Sequence, residues 1–365
     1  MKILQVITSL NIGGAEKLIS EIVPMLRDKG NEVDVLAFDG ADTAFKKNLL
    51  DKGIKVYSFG NGCNVYNPLY IFHLVKMMKN YDIVHTHNTA PQLFAAIGSM
   101  LCSVVLCTTE HNTSNRRRDW KWYATIDKWM YSKYSKVICI SDSTEINLRE
   151  FINESSNKIC TILNGISVAR FSQSIPVEKS TITKHPERKV VAMIAGFRYQ
   201  KDQETLIRAF KNLPEDYELW LVGDGERRAI IEQCIKDNHL GDSILLLGLR
   251  SDIPSILKSV DVVVQSIHWE GFGLAAVEGM AAGKPVVASD VEGLAQVVEG
   301  AGVLFPLGDD KKLAATIKLL LEDKSYYQQV AAKCWKRAQM FDIQKMVDAY
   351  NDVYMRLAAH HNDSY

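Results

Sequence analysis

An excess of charge of either sign is the first thing missing from this 365-residue chain, in which 43 Lys and Arg balance 43 Asp and Glu. A dedicated nucleic-acid binder normally carries a basic surplus, so the balance argues against that class. Also missing is an unbroken apolar run of the roughly 18 to 20 residues that a spanning helix requires. Ala95–Cys107 comes nearest and contains polar residues. The seven cysteines (Cys63, Cys102, Cys107, Cys139, Cys160, Cys234 and Cys334) are odd in number and form no CxxC pair. Reduced, cytosolic thiols are the economical expectation.

What is present fits a globular protein with two domains. The composition is 47% hydrophobic and 24% charged, and the length suits two units of roughly 150 to 200 residues. The net charge of zero conceals an asymmetry, +4 for residues 1–175 and −4 for 176–365. A mildly basic first half is compatible with an anionic membrane surface, although four charges make a weak signal. The start, MKILQVITSL, has the look of a secretion signal but lacks a small-residue cleavage pattern, and reads better as a buried first strand.

Along the chain, strand, turn and helix repeat. Lys2–Thr8, Glu32–Phe38, Lys55–Phe59, Ile83–Thr86, Val104–Thr109 and Lys136–Ser141 read as strands, with a helix expected over Ala15–Lys29. Ser172–Arg188 is rich in Ser, Thr, Pro and charge without a sustained period, and reads as a linker. The alternation then restarts, with strands at Val190–Ala195, Glu218–Gly223, Ser243–Leu247, Val260–Ser266 and Pro285–Ser289, and residues 310–360 look helical throughout. The expected architecture is α/β, with two doubly wound Rossmann-like domains facing each other across a cleft. Its divisions are 1–171, a linker at 172–188, a second domain at 189–340, and a C-terminal helix at 341–365 able to pack back on the first domain. In such sheets ligands bind beyond the carboxyl ends of the strands, which gives functional weight to polar residues there.

The richest such stretch is His268-Trp269-Glu270-Gly271-Phe272-Gly273-Leu274-Ala275-Ala276-Val277-Glu278, directly after a strand and opening a helix. Glycines allow close backbone approach to a ligand, and a helix N-terminus favours an anion. Gly271-x-Gly273-x-x-Ala276 with Asp290 also matches a dinucleotide fingerprint, which keeps an NAD-dependent oxidoreductase as a rival. That fingerprint ordinarily follows the first strand of its domain, and here it follows the fourth. A hydrolase pair fits poorly, because eight helical residues separate the two glutamates by about 12 Å, against roughly 5 Å for a retaining pair.

The E-x7-E element, with Gly279-Met280-Ala281-Ala282-Gly283-Lys284-Pro285 after it, resembles the retaining GT-B-fold glycosyltransferases of family four, the glycosyl transferases group one. Gly13-Gly14-Ala15-Glu16, Asp82-Ile83-Val84-His85-Thr86-His87, Asn164-Gly165-Ile166, Gln200-Lys201-Asp202, Val222-Gly223-Asp224-Gly225 and Pro306-Leu307-Gly308-Asp309 agree with that family in order. The resemblance implies that Glu278 binds the ribose hydroxyls of a sugar nucleotide and Glu270 the hydroxyls of the donor sugar. It implies that backbone around Gly271, Phe272, Gly273 and Leu274, and the Gly13-Gly14 turn, approach the sugar and diphosphate. Backbone near Gly248–Arg250 would hold the base, His111 would line the reaction centre, and Lys201 would neutralise the diphosphate. The family's arginine, five residues before that lysine, falls on Gly196, and Arg198 is expected to substitute for it.

The resemblance further implies a hexosyl transfer from a UDP- or GDP-linked donor to a saccharide or lipid-linked acceptor. Neither cofactor nor metal is expected, since no D-x-D pair occurs. A sugar-nucleotide epimerase or phosphorylase on the same architecture, and a catalytically silent nucleotide-sugar sensor, stand as alternatives. His85 and His87 share a strand face, as zinc ligands can, but no third ligand has a recognisable spacing. The simpler expectation packs one of them beneath the cleft. Arg116, Arg117 and Trp120 head a cationic and aromatic stretch with two readings, a solvated turn with buried tryptophans or a contact with acceptor or anionic membrane. The expected location is the cytoplasm, with peripheral contact at the inner face of the plasma membrane.

Overall fold

The computed structural model describes residues 1–11, 13–60, 64–111, 120–153 and 157–362, with the side chains of all but 121 and 360–362. The chain forms two compact units, residues 1–163 with 346–365, and residues 164–345.

In the first unit seven strands are described: β1 (Lys2–Ile7), β2 (Glu32–Ala37), β3 (Val56–Ser58), β4 (Ile83–His87), β5 (Val105–Glu110), β6 (Lys136–Cys139) and β7 (Ile159–Thr161). They lie in the order β3-β2-β1-β4-β5-β6-β7, every pair parallel. The apolar runs that read as strands are buried along nearly their whole length, as a sheet covered on both faces demands. Phe38 anchors one side of this core, with ring centroids 5.8 Å from Phe94 and 5.9 Å from Tyr70.

The second unit repeats the winding with β8 (Lys189–Ile194), β9 (Tyr217–Val222), β10 (Ile244–Gly248), β11 (Val262–Gln265), β12 (Val286–Ser289) and β13 (Val303–Phe305). Their order is β10-β9-β8-β11-β12-β13, again all parallel. In each sheet the strand order reverses beside the first strand, between β1 and β4 and between β8 and β11. Those are the two places where the carboxyl ends of diverging strands leave room for a ligand.

The segment 172–188, expected as a linker, is packed on the second unit. Val177 donates its N–H to the Ser255 carbonyl at 3.4 Å, and Thr183 Oγ1 donates to the buried Glu218 carboxylate at 2.6 Å. One of its polar residues, Thr183, therefore serves a buried acceptor while most of the others face solvent, and the passage between units falls at 163–164. The edge strands β7 and β13, each three residues long, carry too short a pattern to be read from sequence. The last helix, Ile343–Asn362, runs from the second unit into the first, where residues 346 onward belong.

Candidate functional site

At the switch point of the second sheet, one turn follows β8 and another follows β11. After β8 the chain makes a short 3-10 turn, Tyr199–Lys201, and Asp202 adopts φ +27 to cap the helix Gln203–Phe210 through a bond from Thr205 N at 3.3 Å. That turn aims Lys201 across to the loop after β11, where its ammonium pairs with Glu270 Oε2. The other carboxylate oxygen, Oε1, accepts from Gly271 N at 3.0 Å. The loops are tied by backbone as well: His268 N donates to Gln200 O at 2.9 Å and Gln200 Nε2 to Trp269 O at 2.7 Å.

Glycine is required beneath this loop. A Cβ on Gly293 would stand 2.2 Å from the Glu270 carbonyl oxygen, and φ there is +79. Gly273, at φ +91, opens the helix Leu274–Ala281 with no side-chain cap, leaving first-turn N–H groups for an anion. Phe272 is 2% exposed and packs edge-on against Phe341 at 5.3 Å. Among the expected ligand contacts it therefore offers backbone only, its ring being committed to the core. Glu278 lies one helical stretch further on and is buried at 6%.

Arg198 is exposed, and its Nε lies 3.9 Å from where a Cβ at Gly196 would be. The side chain thus runs back over the glycine, in ordinary van der Waals contact with the place a Cβ at 196 would take. Beyond β9 and β10, Gly223 N donates to Gly248 O at 2.9 Å, joining the two strand ends. Arg250 grips both oxygens of Asp252 at 2.8 and 2.7 Å and holds that carboxyl below the usual range.

The first unit carries a different set at the matching place. Gly13 precedes the helix Gly14–Asp28, and a Cβ on it would meet Glu16 Oε2 at 2.1 Å. Burial raises the Glu16 carboxyl above its ordinary range, and the Asp39 charge adds to the effect. Across the switch point, Gln5 is paired in register with His85, and His87 with Thr109, so these side chains share one face of the sheet. His85 and His87 stack at 4.4 Å between centroids, and His87 Nδ1 is 3.0 Å from His111 Nε2. Burial pushes the His111 imidazole down to about 4. The expectation that one of the strand histidines packs below a ligand site is exceeded: both are fully buried and bonded into one chain.

Trp120 precedes the helix Lys121–Ser132 and is 60% exposed, and Trp122 is 57% exposed. The alternative that these tryptophans are buried is therefore corrected. Arg116 and Arg117 lie outside the described residues. Sequence reasoning missed Gln5, Tyr350 and Tyr354, which join the histidines. A glutamine inside the apolar run of β1 was the available signal, since a buried amide needs partners.

Two sheets wound in this order, with an anion-ready helix start and a lysine–glutamate pair at the second switch point, define a protein of the GT-B fold. HepE from Anabaena, solved with UDP, is 25% identical with a TM-score of 0.87, covering 98% of this chain and 100% of that one. The same protein solved with UDP-glucose gives a TM-score of 0.83 with both chains fully covered. Residues 175–338 match the model of Glycosyl transferases group 1, and residues 12–170 that of Glycosyltransferase Family 4. The chain belongs to the group 1 glycosyltransferases. Among curated relatives, UDP-Gal:alpha-D-GlcNAc-diphosphoundecaprenol alpha-1,3-galactosyltransferase of Escherichia coli is 28% identical over 305 residues, 78% of each chain. N-acetyl-alpha-D-glucosaminyl L-malate synthase of Bacillus anthracis is 24% identical over 94% of each. Among the described residues no helix is long and apolar enough to cross a membrane.

Proposed function

We propose that this glycosyltransferase moves a hexose from a nucleoside-diphosphate sugar to a saccharide or lipid-linked acceptor, with retention at the anomeric carbon and without a divalent metal. The observation that carries the reading is the Lys201–Glu270 pair beside the uncapped helix start at Gly273. In the resting protein each charge neutralises the other. A bound donor separates them: the ammonium turns to the diphosphate, and the carboxylate accepts from sugar hydroxyls. Arg198, lying over Gly196, adds a second cation for the diphosphate.

The bond from the anomeric carbon to the diphosphate oxygen breaks as the bond to the acceptor oxygen forms on the same face. The acceptor's proton passes to the departing phosphate. Stabilising the leaving charge by about 4 kcal/mol accelerates its departure roughly 1000-fold. Glu278 would bind the ribose hydroxyls, and backbone at Gly248–Arg250 the base. Uracil is the first base to test, because HepE is solved with UDP and the name of the E. coli relative includes a UDP-linked donor.

That E. coli relative and LpsD of Rhizobium meliloti, named a lipopolysaccharide core biosynthesis glycosyltransferase, direct the acceptor search to lipid-linked and cell-surface glycans. Exposed Trp120 and Trp122 support a contact with such an acceptor or with an anionic membrane surface. A panel of UDP and GDP sugars, with chelator present and diphosphoundecaprenol-linked sugars as acceptors, tests the reading. UDP or GDP release with an α-linked product from an α-linked donor is expected. Thermal stabilisation by NAD alone, with no sugar nucleotide turned over, would sink it.

A further inference from the structure

The first unit contains a continuous chain of hydrogen bonds, buried as far as His87 and half-buried at its end, from the C-terminal helix to His111. Thr109 Oγ1 lies 3.0 Å from the Tyr350 hydroxyl and 2.8 Å from His85 Nε2. His85 Nδ1 lies against the Tyr354 hydroxyl, which also accepts from Gln5 Nε2 at 3.0 Å. Gln5 Oε1 is 2.9 Å from His87 Nε2, and His87 Nδ1 is 3.0 Å from His111 Nε2. The i, i+4 spacing of Tyr350 and Tyr354 presents both hydroxyls to the same sheet face.

This chain has a direction. An amide carries its donors and its acceptor on different atoms, so Gln5 cannot serve both neighbours alike. Its oxygen faces His87, which makes His87 Nε2 the protonated nitrogen and His87 Nδ1 an acceptor. The proton between the two rings then belongs to His111 Nε2. Burial keeps both terminal imidazoles neutral, with His85 pushed down to about 3 and His111 to about 4. Turning the Gln5 amide over would reverse every bond and move the His111 proton to Nδ1.

We propose that Gln5 and His87 are positioning residues that hold His111 as the neutral Nε2–H tautomer, leaving Nδ1 as a hydrogen-bond acceptor for a hydroxyl of the transferred sugar. The proposal rests on the reading of His111 as a residue of the reaction centre. Tyr354 makes the C-terminal helix part of the same chain, because its hydroxyl accepts from the Gln5 amide and so passes the bond on to His85. A mere packing role for the two buried groups would leave the tautomer of His111 indifferent to them.

The test uses the full chain labelled with 15N, with the His111 ring assigned through His111→Gln and read by long-range proton–nitrogen correlation at pH 7.5. The Nε2–H pattern is expected at His87 and His111. An Nδ1–H pattern or an imidazolium at His111 overturns the proposal, whatever the variants do. Kinetics form the second arm, with UDP and the turned-over sugar nucleotide as probes. His87→Phe should lower kcat on the order of tenfold, the size of loss seen when a partner orienting a functional histidine is removed. The donor KM should stay within about twofold. His87→Asn keeps an oxygen acceptor near the place of Nδ1 and should restore most of the rate. Equal losses in both variants, or losses that merely follow the melting temperature, count against the positioning role. If the wild type turns over and His111→Ala is as fast, the reading of His111 fails, whereas a wrong tautomer with a normal His111 requirement defeats only the positioning claim. A wild type that turns over no sugar nucleotide defeats the functional reading, and the nitrogen spectrum still decides the tautomer.

Discussion

The two units place opposite kinds of chemistry at the same topological point. In the second, the switch point holds charges: Lys201 paired with Glu270, with Arg198 in the same turn lying over Gly196. In the first, the sheet face at that point holds neutral groups: one amide, three imidazoles, two phenols and one threonine hydroxyl in a single hydrogen-bond chain. The difference follows from solvent access. Lys201 and Glu270 keep 21% and 19% of their side-chain surface exposed, enough for ions to persist and to exchange partners with a ligand. Gln5, His85 and His87 are fully buried, where an ionised ring would be costly and a directed chain of neutral dipoles is stable. Under the proposed function, the charged set would neutralise a leaving group and the neutral set would orient a hydroxyl.

The contrast breaks most visibly at Lys201. Lys201→Ala should lower kcat/KM for the donor by about 100- to 1000-fold, read as nucleoside diphosphate release. Gly293→Ala tests the backbone beneath the ion pair: a methyl group 2.2 Å from the Glu270 carbonyl should destabilise the chain by about 3 kcal/mol in urea unfolding. If instead stability is unchanged, that loop is not held where the Glu270 pairing requires it.

Acid sharpens the same contrast. The folded-state pKa values of His85 and His111 lie below the ordinary value near 6.5, so their neutral burial contributes stability that is full above that pH. It is lost as pH falls from 6.5 towards 4, at about 2 kcal/mol per histidine by pH 5. Melts at pH 7.5 and 5.0 should show that loss, and His111→Asn should reduce it. The smallest effect is expected at Arg198. Arg198→Ala should weaken UDP binding about tenfold by calorimetry, the share of one of two cations on a diphosphate. Unchanged UDP affinity would remove Arg198 from the site.

Legibility in the sequence followed the range of the interactions. The strand after which Glu270 stands, the helix that carries Glu278 and the glycines between them are local patterns, and they read correctly as strand, turn and helix. The reach of Lys201 to Glu270 was not legible, since 69 residues separate them and the resemblance implied only that each would contact the donor. The packing of 172–188 was not legible, because a mostly exposed polar segment held by a single buried side chain, Thr183 on Glu218, has the composition of a linker. Tyr354 lies 349 residues from Gln5, and nothing in its own helix marks it as a partner for a strand glutamine.

By itself, the sequence determined the periodicities, the turns and the inventory of charge, because these depend on neighbours within a few residues. Only the tertiary structure decided what the buried polar groups would do. Bringing the helix Ile343–Asn362 against the first sheet gave Gln5 and His85 a shared partner hydroxyl, and the way the Gln5 amide faces gives the histidine chain its direction, which exists only once every donor has met its acceptor.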